Sequence, residues 1–275
     1  MSAEELLKSG DLDGALAALQ DQVRKDPSDA KLRIFLFQLL CVLGDWKRAI
    51  TQLKLSGEMN PEAVTMAQMY REAIICENYR EKVFAGEKEP LAFGEPQEWV
   101  ALMMEAVKLL ANGQADEAAQ LRAKAFDLAP TSSGTLNDAP FEWIADADMR
   151  LGPLLEMIIN GRYFWVPFTA IHKITADEPA DLRDAVWFPV NVILANGGDI
   201  VALIPTRYAG SAASDNPAIK LARATEWADA GADTFTGLGQ RLLATNEGDT
   251  ALMDLRSLVI GDPPPETATD EAADG

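Results

Sequence analysis

Gly10, Gly44 and Gly113 are each followed by an alanine five residues later, Ala15, Ala49 and Ala118, and by a proline seventeen residues later, Pro27, Pro61 and Pro130. A fixed internal period constrains a chain strongly, because each unit must then pack on a copy of itself. The first two copies start 34 residues apart. Glycine suits a tight turn between two helices, alanine a close helix crossing, and proline the end of the second helix. The 69 residues from Gly44 to Gly113 leave room for one more copy, with Tyr79 in the glycine position and Pro96 in the proline position. In that copy the stretch Gly86 to Gly94, GEKEPLAFG, cannot run as a regular second helix. Residues 1–130 are therefore expected to form a short α-solenoid of about three and a half helix pairs.

This period and its punctuation resemble the tetratricopeptide repeat, whose first helices line a concave face. In the aligned register that face carries Ile34, Gln38 and Cys41, then Met66, Met69 and Ala73, then Met103, Val107 and Leu110. Such a surface is apolar and rich in methionine, and suits the hydrophobic stripe of an amphipathic helix. The same residues would equally serve to pack helix on helix.

After Pro130 the texture changes to β-branched and aromatic runs broken by Gly, Pro and Asn. Expected strands are Glu142 to Ala145, Leu154 to Ile159, Tyr163 to Phe168, Val186 to Leu194, Ile200 to Ile204, Ile219 to Ala222 and Asp249 to Leu255. Asn196-Gly197-Gly198-Asp199 reads as a hairpin turn. The fold class is therefore α+β: a tetratricopeptide-like helical domain, 1–130, then a compact β-rich domain, 139–261, each with its own core and joined by a linker from Thr131 to Ala139. Residues 262–275, with five acidic and no basic side chains, are expected to be a disordered acidic tail.

Lys and Arg total 24 against 43 Asp and Glu, a formal charge of -19, which argues against nucleic acid or an anionic membrane as partner. The acidic opening MSAEELLK and the absence of a long apolar run lead to the expectation of a cytoplasmic protein. Cys41 and Cys76 sit in apolar helical patterns without a second thiol or histidine at metal-ligand spacing, so they read as buried hydrophobes. His172, the single histidine, lies in the alternating run TAIHKIT and reads as a surface or hydrogen-bonded structural residue in a strand. A hydrolase triad has little to be built from. The competing enzymatic reading is a Mg²⁺ or Mn²⁺ site at Asp146-x-Asp148 with Glu156 nearby, although Arg150 could neutralise the aspartates instead. No cofactor is expected.

Six blocks in the second half are distinctive: WIADADMRLGP (143–153), NGRYFWVPF (160–168), DLRDAVWFP (181–189), IPTRYAGS (204–211), LARATEW (221–227) and GLGQR (237–241). Behind a tetratricopeptide-like half they closely resemble the ImpE/SciE/TagJ family, accessory proteins of bacterial type VI secretion systems. The resemblance covers nearly the whole chain up to about Gly261. It implies a non-enzymatic role beside the contractile sheath, binding of an N-terminal helix of the small sheath subunit, and a link to the ATPase that disassembles contracted sheath. A general tetratricopeptide adaptor for another protein is the alternative, but a carboxylate clamp needs basic groove residues that the aligned positions lack. Within IPTRYAGS, Arg207 is expected to pair with a carboxylate, and Arg207 with Tyr208 to offer a second recognition surface. Trp165, Trp187 and Trp227 read as core anchors, with Arg162 and Arg223 as ion-pair candidates.

Overall fold

Side-chain caps start the first four helices, and left-handed glycines turn the helix pairs. Ser2 and Glu5 form a capping box before α1 (Ala3–Ser9), and Asp11, Asp29 and Asp45 cap α2 (Leu12–Lys25), α3 (Ala30–Val42) and α4 (Trp46–Met59). Helix α5 (Val64–Phe84) has no helical partner in its own repeat; α6 (Glu98–Ala111) and α7 (Ala115–Leu128) form the last pair. Gly10, Gly44 and Gly113, at φ of 85°, 74° and 79°, make the three inter-helix turns. Ala15, Ala49 and Ala118 are fully buried at the crossings, as their position in the repeat requires. The computed structural model describes residues 1–261; the acidic segment 262–275 lies outside the described residues.

Between α5 and α6 the loop carries β1 (Leu91–Ala92), a strand that the glycine-rich stretch did not suggest. The second half then supplies β2 (Gly134–Leu136), β3 (Ala139–Phe141), β4 (Ile144–Asp146), β5 (Leu154–Ile159), β6 (Arg162–Pro167), β7 (Ile171–Thr175), β8 (Trp187–Leu194) and β9 (Asp199–Pro205). After the short helix α8 (Pro217–Lys220) come β10 (Thr225–Asp229), β11 (Phe235–Gly239), β12 (Leu242–Thr245), β13 (Gly248–Ala251) and β14 (Ser257–Ile260). Nine strands form one sheet in the order β1-β6-β5-β9-β8-β7-β14-β2-β3, in which only the β1–β6 pairing is parallel. A three-stranded sheet, β13-β12-β4, and the hairpin β10–β11 complete it.

The large sheet is covered on both faces where it meets the helices, so every residue of β5 is buried. Along β5, Leu154 and Ile158 point into a core made with the helices, while Leu155, Met157 and Ile159 point into a second core shared with Leu243, Leu252 and Leu258. The first core runs from Leu6 and Leu19 through Phe37, Tyr70 and Met103 to Trp165, Trp187 and Leu203.

Several expectations are thereby corrected. The helical half does not own a separate core, because Trp165 and Trp187 pack among Trp46, Tyr70 and Phe84 of α4 and α5, whereas the second core is built from the strand-rich half. The expected linker is instead strand β2, its turn and the start of β3, paired into the sheet through β14. Ile219 to Ala222 is not a strand: Asn216 accepts from Ala218 N at 3.0 Å and Pro217 occupies the first helical position, which starts α8. Asp249 to Leu255 is β13 followed by a single 3-10 turn. The Asn196–Asp199 hairpin joins β8 to β9 as its sequence indicates.

Candidate functional site

The most chemically loaded part of the molecule is the contact between α5 and the sheet. Ala73, Glu77 and Arg80 recur at helical spacing on the buried face of α5, which puts a charged pair into an otherwise apolar stripe. Arg80 forms a bidentate pair with Glu156 of β5, Nε to Oε1 at 2.6 Å and Nη2 to Oε2 at 2.8 Å. Arg80 also donates to Glu77 Oε2 at 3.3 Å and to the Arg207 carbonyl at 2.9 Å. Arg241 bridges Glu156 to Asp146, and Tyr163 donates its hydroxyl to Glu156 while accepting from Trp165 Nε1 at 2.8 Å. Trp187 Nε1 donates to the other Glu77 oxygen at 3.0 Å. Three carboxylates, Glu77, Asp146 and Glu156, thus lie among three buried guanidiniums, Arg80, Arg207 and Arg241.

Electrostatics follow from that arrangement. Burial by itself would lift the Glu156 carboxyl, but Arg80 and Arg241 outweigh it and hold the pKa at about 2. Glu77 is raised by burial, which Arg80 only partly offsets. Burial brings Arg207 down to about 10. Both thiols are pushed up by burial, Cys76 to about 12, so neither is an activated nucleophile.

Sequence expectations for these residues fare unevenly. The Asp146, Asp148 and Glu156 oxygens are taken by guanidiniums: Asp148 by Arg150, with Nε to Oδ1 at 2.9 Å, and the other two by Arg80 and Arg241. Asp148 lies beyond the end of β4 and turns back so that its amide donates to Asp146 Oδ1 at 2.9 Å. No group of three or more His, Cys, Asp or Glu among the described residues is arranged to hold a metal. Arg207 finds carbonyls rather than a carboxylate: it donates to Val42 O at 2.8 Å, to Cys41 O at 3.3 Å and to Lys220 O, capping the C-terminal end of α3. Trp227 is 41% exposed and packs at a tilt against Tyr208 rather than anchoring a core. Arg162 lies over the Phe164 ring and Arg223 donates to Lys8 O, and neither makes the expected ion pair among the described residues. His172 is buried, with Nδ1 3.1 Å from Ile260 O, and both cysteines are buried, as read from their surroundings.

The supposed concave groove is largely occupied by the protein itself. Gln38, Cys41, Ala73, Met103 and Val107 are buried, Gln38 donating to Asp181 at 3.3 Å, and Arg207 and Tyr208 are buried with them. Ile34, Met66 and Leu110 are half-buried; only Met69, at 38%, is exposed. What sequence reasoning missed is the pair Glu77 and Arg80, although charges on the apolar stripe of a helix were a signal of a buried partner.

Open features remain among the described residues, three of them of about 360 Å³ or more. A cleft of about 450 Å³ lies where the α3–α4 turn meets residues 207–213, lined by Trp46, Glu77, Arg80, Arg207 and Ser211. A groove of about 650 Å³ runs between α4 and α5, floored by Ile50, Leu53 and Ala67 and edged by Val64, Lys54 and Arg71. A third, of about 360 Å³, separates α7 from β4 beside Phe126 and Trp143. No helix among the described residues is long and apolar enough to cross a membrane.

Comparison with known proteins places this architecture. Residues 138–259 match the family model described as ImpE protein, and residues 6–71 match one described as tetratricopeptide repeat. A Pseudomonas aeruginosa protein named type VI secretion system accessory component TagJ is 52% identical over 258 residues, 94% of this chain and 90% of that protein. The crystal structure of protein VPA1032 from Vibrio parahaemolyticus has the same fold, with a TM-score of 0.86 at 26% identity, covering 95% of this chain and 98% of that one.

Proposed function

The chain belongs to the ImpE family, and from that premise we propose that it is a non-catalytic accessory scaffold of a type VI secretion system, receiving an amphipathic helix of the small contractile-sheath subunit. The observation that carries the reading is likeness along 94% of the chain to a protein named as an accessory component of that system. The buried ionic cluster supports a scaffold, since its carboxylates and guanidiniums are engaged with one another and with backbone carbonyls, holding the sheet on the helices.

With the concave side filled by the sheet, the surface offered to a helix is the α4–α5 groove. Val64, Ala67, Gln68 and Arg71 share one face of α5 at helical spacing, and Val64 is 52% exposed. An apolar stripe seated on Ile50, Leu53 and Ala67, with its polar flanks toward Lys54, Glu58 and Arg71, fits helix-in-groove recognition. The test titrates a synthetic peptide of the sheath helix into wild type, Val64→Glu and Met69→Glu. Val64→Glu should weaken binding by about 2 kcal/mol, because it removes apolar contact and strands a charge. Affinity should change little with added salt. Loss at Met69 instead would move the contact to the other flank of α5, and no binding to wild type would remove the sheath helix as partner.

A further inference from the structure

The hairpin β10–β11 is held to the rest of the molecule along one edge only. Ala230 N donates to Thr234 O at 2.8 Å and Gln240 N to Ala224 O at 2.9 Å, which fixes the alternation of the ladder between them. Phe235, Gly237 and Gly239 of β11 consequently turn their backbone groups away from β10, and the body of the protein meets them. Gly239 N donates to Ser211 Oγ at 2.8 Å and its carbonyl accepts from Tyr208 N at 2.9 Å. Gly237 N donates to Asp148 Oδ2 at 2.8 Å, and Phe235 N to Met149 Sδ at 3.4 Å. Thr225, Trp227 and Asp229 of β10 turn theirs to the opposite edge, where they have no hydrogen-bond partner among the described residues. Glu226, Trp227, Ala228 and Asp229 are all exposed. An edge that runs in unbroken register, with no lysine, proline or bulge, is a template for another strand.

The strand reads Thr225-Glu226-Trp227-Ala228-Asp229, and that order is self-complementary. Turned antiparallel about Trp227, a second copy sets its Asp229 against Thr225, its Ala228 against Glu226 and its Trp227 against Trp227. No like charges then face one another, whereas a register centred on Glu226 would oppose two carboxylates. The Trp227-centred register also brings every outward-facing residue into a hydrogen-bonded pair, about six bonds in all. Glu226 is further drawn aside by Asn216, whose Nδ2 donates to Oε1 at 2.9 Å. We propose that a second copy of this chain pairs with β10 edge to edge, joining the two hairpins into one antiparallel sheet across a two-fold axis at Trp227. The formal charge of -19 on each copy opposes the approach, so association strengthens as salt screens it.

Light scattering of the full chain from about 1 μM to about 1 mM reads the mass, which should double within that range and do so at lower concentration when salt is added. Trp227→Lys places two ammonium groups at the two-fold axis, and Thr225→Pro removes an outward amide while sparing the β10–β11 ladder. Both should restore the mass of a single chain, with thermal melts confirming that each is folded. Trp227→Cys reads the register. Hydrogen-bonded antiparallel partners sit about 5.5 Å apart at Cα, within disulfide reach, whereas the two copies of position 225 would lie about 13 Å apart along the strands. Mild oxidation should therefore link Trp227→Cys into a covalent dimer and leave Thr225→Cys unlinked; the native thiols, Cys41 and Cys76, are buried. A single-chain mass at every concentration overturns the proposal, as does a dimer that persists in both Trp227→Lys and Thr225→Pro. Linkage of Thr225→Cys in place of Trp227→Cys would overturn the register, and a dimer that salt dissolves would be held by ion pairs rather than by this edge.

Discussion

Glu156 carries more of the fold than any other single side chain in the ionic cluster. It takes two nitrogens of Arg80 from the helical half, and Arg241 and Tyr163 from the sheet. Glu156→Gln removes one partner of a buried pair and leaves two guanidiniums short of charge, so it should lower stability by about 3 kcal/mol. The sign of its pH dependence follows from the lowered pKa. A carboxyl whose pKa falls on folding stabilises the native state above its unfolded value, and this contribution disappears as pH drops through the folded one. The gap between wild type and the Gln variant should therefore be full above pH 4.5 and close toward about pH 2. Urea midpoints of both proteins at about pH 7 and about pH 3 measure it, and a gap that stays constant would contradict the assignment. Asp146, lifted to about 6 by burial against the pull of Arg241, acts with the opposite sign between 6 and 3.8, which is why the comparison is made between variants. At this scale the sequence showed Asp146 and Arg241 within distinctive blocks and Glu156 near the first of them, but not that arginine, rather than a metal, would meet the carboxylates.

Helices and turns were the most legible elements, because glycine, aspartate and proline act on their immediate neighbours. Strand β5 was read with its observed bounds from an apolar run broken only by Glu156, whereas α8 was missed because a β-branched residue outweighed the Asn216-Pro217 start signal. The repeat glycines look equivalent in sequence and are not equivalent in the fold. A Cβ on Gly44 would stand 2.8 Å from the Ala212 Cβ in the loop after Tyr208, while one on Gly113 would meet nothing. Gly113→Ala should cost about 1 kcal/mol, the ordinary penalty of a left-handed alanine. Gly44→Ala should cost about 2 to 3 kcal/mol, since the loop must also move away from the α3–α4 turn. Thermal melts of the two variants decide: equal costs would mean that the turn is not held against that loop.

For the molecule as a whole, the shared core implies a single unfolding unit. Tryptophan fluorescence, to which Trp165 and Trp187 between the halves contribute with the other four tryptophans, and far-UV circular dichroism, which reports the helices, should follow one urea transition. Two separated transitions would restore the independent domains that the change in periodicity suggested. The sequence by itself determined the helical repeat, its degenerate third copy, the switch to strands and the family, because these rest on local periodicity and on blocks of contiguous residues. Only the tertiary structure decided which helical face is free. Glu156 reaches Arg80 across 76 residues and Arg207 reaches Val42 across 165, and no local pattern encodes such pairings. An apolar stripe on a helix has the same sequence whether it waits for a partner or is already covered by the chain's own sheet; long-range packing of Trp165 and Trp187 settled that here, filling the concave side and leaving the α4–α5 groove open.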